Sequence, residues 1–173
     1  MRNKIAFAAL IVILGLVNWS ILKKERHLAE GKIVYLDFRP VDPRSLMQGD
    51  YMALNYGIAN AAGNAIRKEQ GTPKLAASDG YLILQLDERS IGTFKDLYKD
   101  QALEKNEIMV RYRVRNNAVK FATNAFFFQE NHGKIYQNAR YGQFRVDEEG
   151  EMLLTAMMDE DLNKLEADKK NRD

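Results

Sequence analysis

The chain has 173 residues and no cysteine, so its length suits one domain with its own core and its composition excludes disulfides and thiolate metal sites. Five of its 26 lysines and arginines lie in residues 1–26 beside a single acidic residue, and that segment accounts for the net charge of +2. Residues 27–173 carry 21 basic and 23 acidic residues without a basic, aromatic-rich stripe, which predicts no nucleic-acid partner.

Residues 5–22 form an uncharged apolar run, IAFAALIVILGLVNWSIL. Eighteen helical residues extend about 27 Å, close to the hydrocarbon thickness of a bilayer. Basic residues flank the run on both sides, and Trp19 lies near its far end, where amphipathic rings favour the membrane interface. We therefore predict an uncleaved membrane anchor over residues 1–26, with a cleaved signal peptide as the alternative.

The orientation of this anchor follows from its short N-terminal tail. Basic groups are balanced on the two sides of the run, so their count does not choose an orientation. A tail of four residues is typical of a signal anchor, which keeps the N-terminus in the cytoplasm and exports the rest of the chain. We expect the domain of residues 27–173 on the extracytoplasmic, periplasmic side of the membrane.

Strand patterns dominate the chain after the anchor. Alternating apolar residues predict strands over residues 32–40, 51–58, 81–88, 108–116 and 119–129, and a hairpin over 139–158. The hairpin turn, DEEG, suits a glycine at positive φ in position 150. The expected fold is mainly β (α+β), an antiparallel sheet or small barrel with a helix at each end.

Few helices are expected. The first helix continues past the anchor to Gly31, and Asp159 is expected to cap a C-terminal helix over residues 159–170 that docks through Leu162 and Leu165. Residues 59–80 are small and polar, which indicates a long mobile connection with one helical turn near 65–70. Residues 92–104 have weak helical spacing only.

Three consecutive phenylalanines end the strand predicted over residues 119–129. Phe126 and Phe128 project to one face of a strand and Phe127 to the other. Either both faces are covered, or one ring is left for a partner. We favour rings that line a barrel.

The fragment LMQGD at residues 46–50 raises the question of an enzyme. It resembles the turn that precedes a strand in signal peptidases and self-cleaving repressor proteases. Their nucleophilic serine would fall at Val41 here, which has no nucleophilic group. Ser45 lies on the wrong side of that loop and has no lysine base in a recognisable motif. A membrane-bound hydrolase or peptidase that reacts through Ser45 or Asp50 is therefore the alternative function.

A structural role explains the same turn more simply. Gly49 permits a positive φ, and Asp50 can accept hydrogen bonds from nearby backbone N–H groups. Pro43 favours a type I turn, and Arg44 can pair with a neighbouring aspartate. The turn is then scaffold for the strand that follows.

Three separated motifs connect the chain to a known family. Residues 49–56 contain the signature G-D-Y-x-x-L-x-Y, and FFFQENHG and ARYGQFRVDEEG follow in the same order. The chain resembles the GDYXXLXY protein family over about residues 33–165. The resemblance implies a membrane-anchored, exported bacterial protein without an assigned activity. It also implies an integral membrane protein as partner.

These observations predict a non-enzymatic domain that binds a protein or peptide partner at the membrane. The candidate binding residues are Arg44, Asp50, Tyr51, Tyr56, Gln129, Arg140 and Tyr141. The residues expected to shape the motif and its turns are Pro43, Leu46, Gly49, Leu54, Gly142 and Gly150. The alternative for the candidate site is a structural Arg140–Asp50 ion pair among packed tyrosines.

No cofactor and no metal site are expected. The two histidines, His27 and His132, are 105 positions apart, and neither lies in a motif with metal-ligand spacing.

Overall fold

The computed structural model describes residues 2–38, 47–48, 51–129 and 133–166, with only the backbone described at positions 2, 3, 5, 6, 8, 47 and 48. Its helices are α1 (Arg2–Glu30), α2 (Ala59–Gln70) and a 3-10 helix (Gly133–Asn138). Its strands are β1 (Lys32–Asp37), β2 (Met47–Gln48), β3 (Tyr51–Ala53), β4 (Ser78–Leu86), β5 (Gly92–Leu97), β6 (Glu107–Arg115), β7 (Ala118–Lys120), β8 (Ala125–Phe127), β9 (Tyr141–Val146) and β10 (Met152–Met158).

The strands form three antiparallel sheets. Their orders are β1-β9-β10, β2-β3-β8 and β5-β4-β6-β7. The backbone N–H of Tyr35 in β1 donates to Ser90 O at 2.9 Å, next to β5, and a bridge joins Phe38 to Tyr56. These links curl the sheets into a half-barrel, which confirms the expectation of a mainly β, antiparallel fold.

The core combines side chains from all three sheets and from α2. In β1 and just after it, alternating side chains are buried as the sequence predicts: Val34, Leu36 and Phe38. On β6 the arginines face solvent and the alternating positions are buried: Val110, Tyr112 and Val114. Burying alternate side chains removes apolar area from water, and this is the main favourable contribution to the fold.

The β9–β10 hairpin forms as expected. Gly150 has φ of +75°, and its N–H donates to Asp147 O at 3.0 Å across the turn. Gly142 is required for a different reason. A Cβ at this position would lie 2.6 Å from Phe38 Cζ and 2.7 Å from Phe144 Cε2, so only glycine lets β9 approach these rings.

Two of the sequence predictions between residues 59 and 104 are wrong. Residues 59–70 are a full helix of 12 residues rather than a mobile connection, and the helix ends at Gly71 with φ of +65°. Residues 92–97 are strand β5 rather than weakly helical, because they pair with β4 with a bulge at Ile83/Leu84. In both cases tertiary packing overrides local propensity.

The C-terminal helix is also a wrong prediction for residues 159–166. Asp159 accepts hydrogen bonds from the backbone N–H groups of Asp161 and Asn163, so it caps a turn without starting a helix. Leu162 has φ of +64°, which breaks a helical path, while Leu165 packs against the core and donates its N–H to Met157 O at 2.8 Å. Residues 167–170 of the predicted helix lie outside the described residues.

Helix α1 extends from the predicted anchor to Glu30 and is followed by Gly31, as expected. Among the residues whose side chains are described, no helix combines the length and the apolar composition that crossing a membrane requires. The predicted span over residues 5–22 includes positions 5, 6 and 8, whose side chains lie outside that description.

Candidate functional site

Tyr56 lies in the hydrophobic core of the domain. Its side chain is 3% exposed, and its ring contacts the rings of Phe38, Phe121 and Phe144 with centroids 5.2–5.9 Å apart. The hydroxyl donates to Thr123 O at 2.5 Å. Burial raises the pKa of the Tyr56 phenol well above its usual range. Its surroundings thus make it a neutral, structural residue.

Tyr51 has a different environment from Tyr56. It pairs with Phe127 across β3 and β8, and the two ring centroids are 5.8 Å apart. Phe127 is 75% exposed, so the favoured expectation of a barrel lining does not hold for this ring, which projects away from Phe126 and Phe128. Phe126 and Phe128 instead pack against Tyr136, with centroids at 4.9 and 5.5 Å. Tyr51 and Phe127 therefore form an outward aromatic pair beside the family motif.

Arg140 and Tyr141 lie near β1. Arg140 Nε is 3.0 Å from Asp37 Oδ1, and Tyr141 is the β9 partner of Asp37. Asp50, the expected ion-pair partner of Arg140, lies outside the described residues. Gln129 is exposed after β8. The Arg140 ion pair therefore connects the residue before β9 with the end of β1.

Several residues singled out from the sequence lie outside the described part of the chain. They are Pro43, Arg44, Ser45, Leu46, Gly49, Asp50 and His132. Leu54 of the same family signature is described, and its side chain is buried with only 5% exposed. Leu54 N–H donates to Asn124 O at 2.8 Å, so this part of the signature fixes the chain against the segment before β8.

A groove opens beside Leu54 and Tyr56, which we call the motif groove. It lies between residues 54–60, α2 and the β6–β7 turn, and its volume is about 410 Å³. Side-chain amides and two cations surround it: Asn55, Asn60, Asn117, Asn124, Arg67 and Lys120. Buried apolar side chains form its floor: Leu54, Tyr56, Leu75 and Val119. Sequence reasoning missed this site because its residues come from four separate segments.

A second groove, of about 610 Å³, lies where α1 meets the sheets, and we call it the junction groove. Basic residues from the end of α1 and acidic residues from the β9–β10 turn line it together: Lys23, Arg26, Lys32, Asp147, Glu148 and Glu149. Lys23 Nζ pairs with Glu149 Oε2 at 2.8 Å, but both side chains are more than half exposed. This exposed pair adds little stability.

His27 fixes the junction from inside. Only 5% of it is exposed; its Nε2 lies 2.8 Å from Arg145 O and its Nδ1 lies 3.3 Å from Asp147 Oδ2. Arg145 Nη1 donates in return to Gly31 O at 2.9 Å. These contacts join α1 to β9 and orient the helix on the body. The sequence predicted no role for His27. The structure shows that it joins α1 to β9.

The described region contains groups that can make hydrogen bonds and ion pairs with a ligand. Among the described residues, no group of three or more histidine, cysteine or acidic side chains is placed to hold a metal ion. Ser45 and Asp50, the reacting groups of the hydrolase alternative, lie outside those residues. The motif groove offers hydrogen-bonding amides, positive charge and an apolar floor.

A family model described as GDYXXLXY protein matches residues 13–157. Comparison with curated proteins and with solved structures finds no match. The matched region begins within α1 and ends in β10, so it contains the motif groove, the outward aromatic pair and the junction groove.

Proposed function

Because this chain belongs to the GDYXXLXY protein family, we propose that it is a membrane-anchored, exported domain that binds a protein or peptide partner beside the bilayer. In this proposal the anchor concentrates the domain at the membrane. The β-rich body then supplies a preformed surface to an integral membrane protein.

The exposure of apolar side chains on α1 is the observation that carries this proposal. The side chains concerned are 46–72% exposed: Leu10, Ile11, Val12, Ile13, Leu14, Leu16, Val17, Trp19, Ile21 and Leu22. They are spread over residues 10–22, interrupted only at positions 15, 18 and 20, and therefore surround the helix instead of forming one stripe. A helix that is apolar all round requires an apolar environment on every side, which a lipid bilayer provides.

The joint at the end of α1 supports a fixed geometry of the body at the membrane. His27 and Arg145 hold α1 to β9 directly after the basic residues at 23–26. A body held in this way presents the same face to any neighbour in the bilayer. Tethering then replaces a bimolecular encounter by one at high effective concentration.

The partner surface that we propose includes Phe127 and Tyr51. An exposed aromatic pair beside polar residues is a common composition for the centre of an interface. The ring of Phe127 leaves three quarters of its surface in solvent, which a partner could cover.

Site-specific photocrosslinking in intact cells tests the proposal. A crosslinking amino acid replaces Phe127 in the full-length chain, and the control carries it at Leu103, which is 41% exposed in the loop after β5. We expect a discrete adduct with an integral membrane protein from position 127 and none from position 103. Equal adducts from both positions, or none from position 127, would contradict partner binding through this surface.

A further inference from the structure

We infer that the motif groove binds an extended peptide through a carboxylate group. The inference rests on the proposed function, because it names the chemistry of the partner that the domain receives. The carboxylate can come from an acidic side chain or from a chain terminus, and both present the same two oxygens to the groove.

The charge of the groove is the first argument. Arg67 and Lys120 are half-buried on its walls, and no acidic side chain in the described part of the chain lines it. Arg67 Nη1 donates to the neutral Asn64 amide at 2.8 Å, which leaves its charge uncompensated by that contact. A carboxylate is the natural counterpart, because charge-assisted hydrogen bonds to guanidinium and ammonium groups are the strongest of their kind.

The pairing of β6 with β7 adds to this positive potential. Arg113 lies directly opposite Lys120 in the register, and like charges in such a pair are destabilising. Asp79 flanks Arg113 on the other side, from β4. Among the described residues Lys120 takes part in no ion pair, while Asp79 pairs with Arg111 and Arg115, so a bound anion next to Lys120 would relieve the repulsion.

The asparagines are the second argument. Each primary amide offers donors and an acceptor, which match the C=O and N–H groups of an extended peptide. Two of these residues are already held in place. The side-chain Oδ1 of Asn117 accepts from Leu75 N–H at 2.8 Å, and the backbone carbonyl of Asn124 accepts from Leu54 N–H at 2.8 Å, which fixes the Asn124 backbone. Walls fixed before binding reduce the entropy lost when a peptide is ordered.

The floor and size of the groove fit the same ligand. Leu75 and Val119 give a short apolar surface for a small side chain of the peptide. The volume of about 410 Å³ lies within the usual range for small-ligand sites. It suits a few residues of an extended chain.

Side-chain amide signals in NMR spectra of the full-length protein in detergent micelles provide the test. Three peptides serve as probes: acetyl-Ala-Ala-Glu-Ala-amide, acetyl-Ala-Ala-Gln-Ala-amide and acetyl-Ala-Ala-Ala-Ala with a free C-terminal carboxylate. We expect the first or the third to shift the amide signals of Asn55, Asn60, Asn117 and Asn124, and the neutral peptide to bind at least about tenfold more weakly. Comparison of the first and third peptides identifies the source of the carboxylate.

Three variants test which positively charged side chains bind the carboxylate. Arg67→Gln and Lys120→Gln are each expected to weaken binding of the carboxylate peptide by about tenfold, while leaving the remaining spectrum in place. Lys68→Gln is the matched control, since Lys68 is exposed on the same helix and does not line the groove. It is expected to bind like the unmodified protein.

The inference is overturned if none of the peptides shifts these signals, if the neutral peptide binds as well as the charged ones, or if Lys68→Gln weakens binding as much as Arg67→Gln. The measurement is made in micelles and reads signals in the groove itself. Its failure is therefore distinguishable from failure of the proposed function, which is read from crosslinks at position 127 in cells.

Discussion

Tyr56, the last residue of the family signature, fixes the core through both its ring and its hydroxyl. We expect Tyr56→Phe to lower the free energy of unfolding by about 1–2 kcal/mol, because Thr123 O loses its buried donor. Chemical denaturation of the full-length chain in detergent measures the change. Tyr141→Phe is the matched control, since Tyr141 is only half-buried. Equal stability of the Tyr56→Phe variant and the parent would show that the hydroxyl has no structural role.

The buried carboxylate of Glu107 should make the stability of the fold depend on pH. Its carboxylate is 3% exposed; it accepts the Glu104 N–H at 2.9 Å and contacts Lys95 Nζ. The hydrogen bond from the Glu104 backbone, followed by Lys95, holds the pKa of Glu107 below its ordinary value of 4.5. Since the folded-state pKa is lowered, this stabilisation is present above pH 4.5 and is lost as the pH falls through the folded-state pKa.

Denaturation midpoints measured at a series of pH values from about 7 to 3 check this prediction. We expect the loss of stability below pH 4.5 to be less steep in Glu107→Gln than in the parent, since glutamine cannot titrate. A Glu104→Gln variant is the control, because the Glu104 side chain is 70% exposed. Parallel acid profiles for Glu107→Gln and the parent would contradict the assignment.

Helix α2 contains a glycine, Gly63, at a position where the surrounding side chains leave room for a larger residue. A Cβ on Gly63 would meet Leu75 Cδ1 and Val119 Cγ2 at 3.6 Å, which is ordinary van der Waals contact. We therefore expect Gly63→Ala to raise the free energy of unfolding by about 0.5–1 kcal/mol through helix propensity. Thermal unfolding measures the gain. Gly142→Ala is the opposite control, because its Cβ would collide with two rings and should destabilise the fold. Destabilisation by Gly63→Ala would mean that the helix and sheet cannot accept a methyl group here.

The joint between α1 and the body depends on one buried side chain. We expect His27→Ala to lower the free energy of unfolding by about 1–3 kcal/mol, because Arg145 O and the Asp147 carboxylate lose their buried partner. Hydrogen exchange should quicken at Gly31 and in β9 while β4 stays protected. Lys23→Ala is the control, since its exposed pair with Glu149 contributes little. Uniform exchange across all three sheets would show that His27 stabilises the whole fold instead of the joint.

The strands that the sequence predicted well are those with clean alternation. Residues 32–38 and 108–114 bury every second side chain, so periodicity alone places them. Helix α2 was missed because its Ala-Gly-Asn composition carries little apolar pattern. Its burial against β5 and β7 rests on small residues such as Ala62 and Gly63. The segment of β5 has apolar side chains at helical spacing, and only its pairing with β4 makes it a strand.

The candidate sites could not be assembled from the sequence for a related reason. The Arg140–Asp37 contact joins residues 103 positions apart, and the motif groove combines residues from 54 to 124. Such contacts depend on sheet order, which alternation does not specify. The sequence named Tyr51 as a candidate binding residue, which stays a prediction; the structure places its half-buried ring 5.8 Å from that of Phe127. The sequence analysis placed Tyr56 in the same group. Tyr56 shares a strand face with Met52 and Leu54, and all three side chains are buried.

In the molecule as a whole, a helix with exposed apolar side chains leads through a buried joint into a curled, mainly β body. This arrangement separates two roles. The helix would determine where the protein is held, and the motif groove and aromatic pair would determine what it binds. Substitutions in one part should therefore leave the other part folded, since the main contact of α1 with the described strands is with β9, at the joint.

Retention in the membrane pellet after an alkaline carbonate wash tests the anchoring of the full-length chain most directly. We expect the parent protein to stay in the pellet and a variant carrying Ile13→Asp and Val17→Asp to move into the supernatant, because charged side chains are costly in the hydrocarbon region. Leu28→Asp, which lies beyond the apolar run and is 44% exposed, should stay in the pellet. Recovery of the parent protein in the supernatant, or retention of the double aspartate variant equal to that of the parent, would contradict a membrane anchor in α1.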